Sequence, residues 1–422
     1  MKRSLAHPPP GRSWRMAALR HVATVIDCKH RTVQFVEHGI PLASIGEVHG
    51  WTVDLSNAKR TTDEEFAAMI EGGREPREGD VIVSRNATVG AAALVKNAER
   101  FCLGQDVSLV RCGNSLMPEF LNWLFRSSLV ADQIAVESIG ATFLRLNVDQ
   151  IKSLLVPIPP LELQRATVNR LSSSVGAVDA TLSAKQHVLD LLIEKRKAII
   201  ATAVTRGLDP KVKQRDSGVP WLGEIPAHWK LERARWLFRE RDLRSTTGGE
   251  EMLSVSHLTG VTPRSEKDVN MFEAETNEGY KLCEPGDLVI NTLWAWMGAM
   301  GVAPVKGMVS PAYNVYEPGP RLAPAYVDAL VRLPVFAQEV TRYSKGVWSS
   351  RLRLYPEGFF EVYLPVPTQE EQCAIVEHIA RQTAKLDAVR AATERTIALL
   401  KERRSALISA AVTGQLDAEA AA

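Results

Sequence analysis

The residues that could carry chemistry are dispersed in this sequence and form no recognisable catalytic or metal-binding motif. The nine histidines show no His-x-x-x-His spacing and the five cysteines include no Cys-x-x-Cys pair, which excludes the common zinc motifs. The sequence also lacks a Gly-x-x-x-x-Gly-Lys-Ser/Thr phosphate loop, a Gly-x-Ser-x-Gly nucleophile turn and the Asn/Asp-Pro-Pro-aromatic motif of amino-methyltransferases. We therefore predict a non-enzymatic chain with no metal site and no cofactor of its own.

Side chains that could bind phosphate groups are concentrated in three basic stretches. Residues 1–31 contain seven Lys or Arg against one acid, and residues 230–244 contain six against three. Residues 340–355 contain four basic residues, no acid and several aromatic residues. Basic residues interleaved with aromatic and small polar residues suit a face that contacts nucleic acid, although each stretch alone fits an ordinary solvated surface equally well.

The composition is that of a globular protein, with 45% hydrophobic residues and a formal net charge of +2, which is too small to identify a nucleic-acid-binding protein by itself. The unpaired cysteines fit a reducing compartment, and the basic N-terminus lacks the apolar segment of a signal peptide. The uncharged residues 288–305 are interrupted by Asn, Gly and Pro, so we predict a buried strand with a second strand or loop after it, and no membrane span. The expected location is the cytoplasm.

An internal repeat with a shift of 208 residues organises the whole chain. Residues 156–159 (Val-Pro-Ile-Pro) match residues 364–367 (Leu-Pro-Val-Pro), and the match runs without a gap to the Leu-Asp pairs at 208–209 and 416–417. Upstream the similarity is weaker: residues 78–83 correspond to 285–290, and Leu-Arg-Leu recurs at 144–146 and 352–354. Trp14 has a counterpart in Trp229. The two halves are therefore predicted to be one design used twice.

The well-matched segments are predicted to be two long helices, because their apolar residues recur with the 3.5-residue period of a coiled coil. Prolines precede both segments, and Gly207 and Gly414 are placed to end them in the left-handed conformation. Each helix of about 42 residues would be roughly 60 Å long. Arg196 and Arg404 recur on this seam, where they could form a polar layer or extend to solvent. The seam residues that we select are Leu171, Val178, Leu182, Leu189, Leu192, Arg196, Ile199, Leu386, Ile397, Leu400, Arg404 and Leu407.

The remaining regions read as mixed helix and strand, with strand-like runs at 40–48, 80–84, 107–112, 287–291 and 314–316 and helical runs at 119–127 and 325–332. The predicted fold class is therefore α+β: two similar α/β domains separated by two long helices, which form an antiparallel coiled coil with pseudo-twofold symmetry. The helices could alternatively each pair with a separate protein. The predicted boundaries are a first domain at 1–160, a first spacer helix at 161–208, a linker at 209–229, a second domain at 230–366, a second spacer helix at 367–416 and a tail at 417–422.

Over essentially its whole length the sequence resembles the DNA-specificity subunit of type I restriction–modification systems. Three signatures in the expected order carry the resemblance: residues 157–164 with their copy at 365–372, residues 191–196 leading to 203–209, and residues 217–229. The Gly-Asp-Val-Ile-Val of residues 79–83 also looks like the target-recognition domains of this family.

This resemblance implies a sequence-specific DNA-recognition subunit with two target-recognition domains that read a bipartite, asymmetric site in double-stranded DNA. The implied partners are two modification (methyltransferase) subunits and restriction/translocase subunits, which would hold the S-adenosylmethionine, ATP and Mg. A related system in which restriction and modification are fused differently would look the same from this chain. A rival reading is a coiled-coil scaffold whose globular domains bind proteins and no DNA.

Candidates for DNA contact were chosen where a predicted strand ends, with basic residues nearby for phosphate groups. For Arg85, a surface salt bridge is an equally good interpretation, and Trp294 and Trp296 favour a core position over a stacking platform. In the first domain the candidates are Arg85 and Asn86 for bases, and Lys59, Arg60 and Arg145 for phosphates. In the second domain they are Asn291 and Trp294, with Lys345, Arg351 and Arg353.

Overall fold

The computed structural model describes residues 14–96, 99–137, 145–266, 276–346 and 352–416. The chain divides into two compact units: unit 1 comprises residues 1–186 and 394–422, and unit 2 comprises residues 187–393. Each unit therefore contains one globular domain and parts of both long helices. Within the described residues, no helix is sufficiently long and apolar to span a bilayer.

Unit 1 is built around an antiparallel sheet in the order β2-β9-β6-β7, with a second sheet in the order β3-β5-β4-β8 and a separate β1–β10 pair. Its elements are β1 (Met16–Ala18), β2 (Ala23–Asp27), β3 (Phe35–Val36), β4 (Ile40–Ala43), β5 (Arg60–Thr61), α1 (Asp63–Ile70), β6 (Val81–Ser84), β7 (Ala92–Leu94), β8 (Cys102–Leu103), β9 (Val107–Cys112), α2 (Pro118–Leu124), α3 (Ser128–Glu137), α4 (Val148–Ser153), β10 (Leu155–Pro157) and the start of α5 (Leu161–Arg206).

Unit 2 repeats this plan, with a main sheet in the order β14-β21-β18-β19 and a closing β13–β22 pair. Its elements are β11 (Gln214–Asp216), β12 (Glu224–Pro226), β13 (Lys230–Arg233), β14 (Phe238–Glu240), β15 (Leu253–Ser256), β16 (Gly260–Pro263), β17 (Lys281–Cys283), β18 (Leu288–Ile290), β19 (Met300–Val302), β20 (Gly307–Val309), β21 (Asn314–Pro318), α6 (Pro324–Val331), α7 (Pro334–Arg342), α8 (Pro356–Glu361), β22 (Tyr363–Val366) and the start of α9 (Gln369–Val412).

One of the two inner strands of each main sheet, β6 in unit 1 and β18 in unit 2, is completely buried because it is covered on both faces. We call this strand the middle strand. All four residues of β6 and all three of β18 are buried. The uncharged stretch at 288–305 forms β18 and β19, which pair antiparallel with Leu288 opposite Val302, so the prediction of two strands holds. The predicted strand at 40–48 is shorter than expected, since Ser44 starts a 3-10 turn closed by a capping box with Glu47.

The ends of the long helices are fixed by the two predicted glycines. Gly207 and Gly414 have φ values of +76° and +81°, the left-handed conformation that only glycine adopts without strain. A Cβ atom at Gly207 would lie 3.3 Å from the Trp229 ring, and one at Gly414 would lie 2.9 Å from the Trp14 ring. The matched tryptophans therefore serve the same purpose, which is to seal the end of a long helix against its own unit.

Within each unit the two long helices run antiparallel. In unit 1 the buried Leu171 of α5 shares a core with Ile408 near the end of α9, and in unit 2 Val204 near the end of α5 shares a core with Ile375 near the start of α9. The predicted seam residues Leu171 and Val178 are buried. The other apolar seam residues are half-buried: Leu182, Leu189, Leu192, Ile199, Leu386, Ile397, Leu400 and Leu407.

The two seam arginines are partly exposed and form interhelical ion pairs. Arg196 Nη1 lies 2.7 Å from Asp387 Oδ1 in unit 2, and Arg404 Nε lies 2.7 Å from Asp179 Oδ1 in unit 1. The repeat shift of 208 residues converts one pair into the other. Both predicted roles of the arginines are therefore observed: their side chains reach solvent, and they also form polar contacts between the two helices.

The predicted linker at 209–229 is an ordered part of unit 2. It forms a hairpin of β11 and β12, and its Ile225 and Trp229 are buried in the main core of that unit. Its Pro and Gly residues suggested an open connection, but the apolar residues between them provide enough hydrophobic surface to fold against the domain.

Candidate nucleic-acid interface

The Gly-Asp motif that precedes each middle strand is a structural device. Asp80 accepts a hydrogen bond from the Arg77 backbone N–H (2.8 Å) and forms a two-pronged ion pair with Arg111. Asp287 accepts one from the Glu284 backbone N–H (2.8 Å) and lies 2.8 Å from Arg241 Nε. Both carboxylates are buried, so this motif shapes the entry to the strand and is not itself presented to a ligand.

The opposite end of each middle strand carries a corner that is built in the same way in both domains. The Leu146 backbone N–H donates to the Arg85 carbonyl oxygen (2.8 Å), and the Leu354 N–H donates to the Thr292 carbonyl oxygen (3.1 Å). These bonds attach Leu146 and Leu354, the last residues of the repeated Leu-Arg-Leu, to the loop that leaves the strand. As a consequence, Arg145 and Arg353 occupy equivalent positions, and both are exposed.

Arg85 does not take the base-reading position that the sequence suggested. It is 5% exposed, its Nε donates to the Leu146 carbonyl oxygen (3.0 Å), and its guanidinium forms an ion pair with Asp27. Removing such a side chain from its partners would leave a buried charge uncompensated. The alternative interpretation as a salt bridge describes it better, except that the pair lies inside the domain.

Asn86 and Arg145 are brought together at the corner of the first domain, where they form an isolated β-bridge. The Arg145 guanidinium lies 3.3 Å from Asp106 Oδ1, and the adjacent Gln105 amide contacts the Thr32 hydroxyl at 3.5 Å. We define the first rim as six exposed or partly exposed polar residues of the first domain, four of which are linked by these contacts through Asp106: Thr32, Asn86, Gln105 and Arg145, together with Gln34 and Lys59. Thr32, Gln34 and Gln105 were missed because short loop segments give no periodic signal.

Lys59, which belongs to the first rim, and the adjacent Arg60 differ in the partners of their side chains. Lys59 is exposed, with Nζ 4.7 Å from the centre of the Phe35 ring, which is itself 49% exposed. Arg60 donates to the Gly39 carbonyl oxygen (2.8 Å) and lies 3.6 Å from Glu99. Lys59 is therefore available for a phosphate contact, whereas the Arg60 guanidinium already has internal partners.

Asn291 in the second domain is buried and not available for reading bases. Its amide nitrogen donates to the Tyr313 hydroxyl (3.0 Å), and its amide oxygen accepts from the Leu293 N–H (3.2 Å). Lys345 and Arg353 are both exposed, and their backbones exchange two hydrogen bonds of 2.9 Å. Arg351 lies outside the described residues.

The tryptophans of the second domain differ from the predicted core position. Trp294 is 51% exposed and stacks on Trp296 with ring centres 6.2 Å apart. Leu293 and Met297 beside them are 36% and 37% exposed. The sequence concealed this surface, since an uncharged stretch after a buried strand reads as more core.

One group of potential metal ligands occurs among the described residues. Side-chain atoms of Asp27, Cys28 and His30 lie within 4.8 Å of one another. Asp27 is already paired with Arg85, and burial together with Asp27 raises the pKa of the Cys28 thiol, which disfavours the thiolate that metals require. This arrangement fits a hydrogen-bonded support for the first rim better than a metal site.

Three further cysteines, the buried Cys102 and Cys283 and the partly buried Cys112, have no nucleophilic character. Burial raises the pKa of Cys102 to about 11 and the pKa values of Cys112 and Cys283 to about 12. Their thiols therefore stay protonated at neutral pH, as expected for structural residues.

Comparisons with known proteins identify relatives of this repeated two-domain chain. Residues 40–186 match the family model described as the type I restriction modification DNA specificity domain. The EcoBI specificity subunit of a type I restriction enzyme from Escherichia coli is 21% identical over 444 residues, covering 96% of this chain and 87% of that protein. The EcoKI specificity subunit from E. coli K12 is 19% identical, covering 96% of this chain and 90% of that protein.

Two solved structures share the fold. A chain from a type I R-M system, described in a study of complex assembly and conformational transition, has a TM-score of 0.67 at 19% identity and covers 97% of this chain. The HsdS subunit from Thermoanaerobacter tengcongensis has a TM-score of 0.55 at 19% identity and covers 98% of this chain. The family match shows that residues 40–186 form a type I restriction modification DNA specificity domain, and over almost its whole length the chain is similar to specificity subunits of type I restriction enzymes and shares the fold of the two solved structures.

Proposed function

We propose that this chain reads a bipartite site in double-stranded DNA, with one globular domain on each part of the site. The observation that carries the proposal is the repeated corner, at which the same backbone connection presents Arg145 in one domain and Arg353 in the other. A basic residue at a fixed place suits a phosphate contact, which positions a protein on the duplex without reading sequence.

The two parts of the site are expected to differ. Around Arg145 the surface presents the Asn86 and Gln105 amides, the Thr32 hydroxyl and the Asp106 carboxylate, groups that are suited to hydrogen bonds with base edges in the groove. Around Arg353 the corresponding loop presents Leu293, Trp294 and Met297. Two surfaces of different chemistry cannot prefer the same bases, so the target is asymmetric.

Docking of two copies of a modification subunit is supported by a repeated apolar residue on the long helices. Leu191 in unit 2 and Leu399 in unit 1 are 48% and 65% exposed, and the repeat shift relates them. Equivalent exposed leucines favour equivalent partners, since a repeated surface binds a repeated copy. In this proposal the partner subunits hold S-adenosylmethionine, ATP and Mg, and restriction/translocase subunits join the same complex.

Deletion of the gene followed by methylome sequencing tests the function directly. The parent strain should show adenine methylation at an asymmetric two-part site, and the deletion strain should lose it entirely. A plasmid-borne copy should restore it. Unchanged methylation in the deletion strain would refute the proposal.

The corner arginines can be tested separately in the assembled complex. Arg145→Gln and Arg353→Gln should each weaken binding to all sequences and lower the slope of log K against log salt by about 1, as expected for one lost phosphate contact. Lys96 and Lys306 are matched controls, because both are exposed and follow the other end of the middle-strand hairpin. Equal salt slopes for Arg→Gln and Lys→Gln variants would contradict the placement of DNA at this corner.

Partner docking is tested by the native mass of the complex. Leu191→Glu and Leu399→Glu should each reduce the modification subunits from two copies to one, and the double variant should bind none. Leu243→Glu is the control, since Leu243 is 56% exposed but lies in the second globular domain. Retention of both copies in the double variant would disprove docking at these leucines.

A further inference from the structure

The loop between β18 and β19 presents an exposed apolar surface that the proposed function does not explain. We define the aromatic tip as Leu293, Trp294, Trp296 and Met297. The Trp294 side chain is 51% exposed and Leu293 and Met297 are each more than one-third exposed. Clustered apolar side chains in contact with water mark a binding surface far more often than an isolated exposed residue does.

The tip is rigidly supported from below. The Trp296 indole N–H donates to the Leu293 carbonyl oxygen (3.0 Å), and the Trp294 ring stacks on Trp296 at an interplanar angle of 19°. The Ala299 N–H donates to the Trp294 carbonyl oxygen (3.1 Å), and Gly298 turns the chain with a φ of +87°. The exposed ring is therefore held in place before any ligand arrives, which lowers the entropic cost of binding.

Two cationic residues, Lys345 and Arg353, are connected to this apolar tip through backbone hydrogen bonds. The carbonyl oxygen of Thr292, two residues before Trp294, accepts a hydrogen bond from the Leu354 N–H. Arg353, which precedes Leu354, exchanges two backbone hydrogen bonds with Lys345. Lys345 and Arg353 form no salt bridge with any described residue. The sequence from 340 to 355 contains no acidic residue. A flat aromatic ring bordered by unpaired cations is complementary to a ligand with flat rings bordered by phosphates, which is a nucleic acid.

The first domain has no equivalent of the tip in the described residues. After β6 the corresponding loop places Asn86, Ala87 and Thr88 at this corner, which are small or polar residues. The two loops share their backbone attachment to the Leu-Arg-Leu segment but differ in what they present. The tip is thus a property of one reader and not of the shared frame.

We propose that Trp294 inserts between two base pairs of the second half-site and unstacks that step, while Lys345 and Arg353 contact the flanking phosphates. Apolar side chains that enter a groove unstack a base step and kink the duplex. The proposal rests on the proposed function and adds that the second domain reads sequence through deformation. The half-site should therefore contain an easily unstacked pyrimidine–purine step at the insertion point.

The test places 2-aminopurine at each position of the methylome-defined site and measures its fluorescence in the assembled complex. One step in the second half-site should brighten on binding, because unstacking relieves quenching. Trp294→Ala should abolish this signal and weaken specific binding about tenfold. Trp294→Phe should retain most of the signal, because a flat ring remains. Leu258→Ala is the control, since Leu258 is 75% exposed in the same domain and outside the tip.

The outcomes separate this inference from the function on which it rests. An absence of brightening in the second half-site, or brightening that survives Trp294→Ala, would overturn the insertion while leaving specific DNA binding intact. Loss of all sequence-specific binding by the wild-type complex would instead overturn the proposed function. Unchanged thermal unfolding of Trp294→Ala is expected, since the side chain is exposed, and the 2-aminopurine fluorescence in the first half-site should be unaffected by the substitution.

Discussion

The two globular domains have the same frame and different surfaces. Both have a four-stranded sheet in the same order, a buried aspartate before the middle strand and a Leu-Arg-Leu segment docked after it. They diverge where the strand ends, with Asn86 and polar neighbours in one domain and the stacked Trp294 in the other. The comparison shows that the buried interior of the repeat is the same in both domains, while the short exposed loops differ in chemistry.

A buried glutamine makes the same contacts in both units, at the point where the globular domain meets the start of a long helix. Gln164 accepts from the Met117 N–H and donates to the Ser115 and Pro159 carbonyl oxygens, all at 2.8 Å. Gln372 makes the corresponding three bonds, to Ala323, Arg321 and Pro367, at 2.7 to 3.0 Å. Each glutamine is fully buried and ties the start of a short helix to the start of a long one.

Exchange of the first domain should produce the largest effect. Replacing residues 1–155 with those of a relative should change one half of the methylated site completely and leave the other half unchanged, because each domain reads separately. Methylome sequencing of the chimera measures this. A change in both halves would show that the readers are not independent.

Loss of the buried glutamines should destabilise the two units to a similar degree. Gln164→Leu and Gln372→Leu each remove the partner of one buried and two part-buried backbone groups, which is expected to cost about 2 kcal/mol of stability. Hydrogen exchange of the full chain should show lost protection mainly in unit 1 for Gln164→Leu and in unit 2 for Gln372→Leu. Gln338→Leu, at an exposed position on α7, should have little effect. Equal loss in both units from either variant would argue against this assignment.

Asp287 should give the free energy of unfolding a component that depends on pH. Burial raises the pKa of Asp287, so the folded chain holds this proton more tightly than the unfolded chain does. Its contribution to the free energy of unfolding should therefore decrease as the pH rises from about 4 through the raised pKa. Asp287→Asn should remove this component, whereas Asp80→Asn, which breaks the two-pronged pair with Arg111, should cost about 3 kcal/mol at neutral pH. Urea unfolding at several pH values is the measurement, and identical pH profiles for wild type and Asp287→Asn would contradict it.

The interhelical ion pairs should have the smallest effect. Arg196–Asp387 and Arg404–Asp179 are partly exposed, so a double-mutant cycle to alanine should give a coupling below about 1 kcal/mol for each pair. The two values should agree, because the repeat relates the pairs. A coupling that is large in one unit and absent in the other would show that the helix pairing is not equivalent.

Much of the architecture could be predicted because its signals are local or repeated. The matched segments predicted the long helices and their glycine ends, and the buried strands at 107–112 and 288–290 follow from short apolar runs between turns. The repeated Leu-Arg-Leu identified Arg145 and Arg353, which the structure places at equivalent exposed corners. The hairpin at 209–229 was not anticipated, since Pro and Gly residues obscured the apolar residues that bury it.

The sequence by itself determined that one design is used twice and that the chain contains no catalytic motif, because repetition and motif spacing can be read along the chain. Only the tertiary structure decided which side chains at the ends of the strands are exposed. Arg85 is buried since Asp27 and Leu146, distant in sequence, pack against it, whereas Trp294 stacks on Trp296 and remains 51% exposed. Exposure depends on what the rest of the fold brings to a position, and a local pattern does not contain that information.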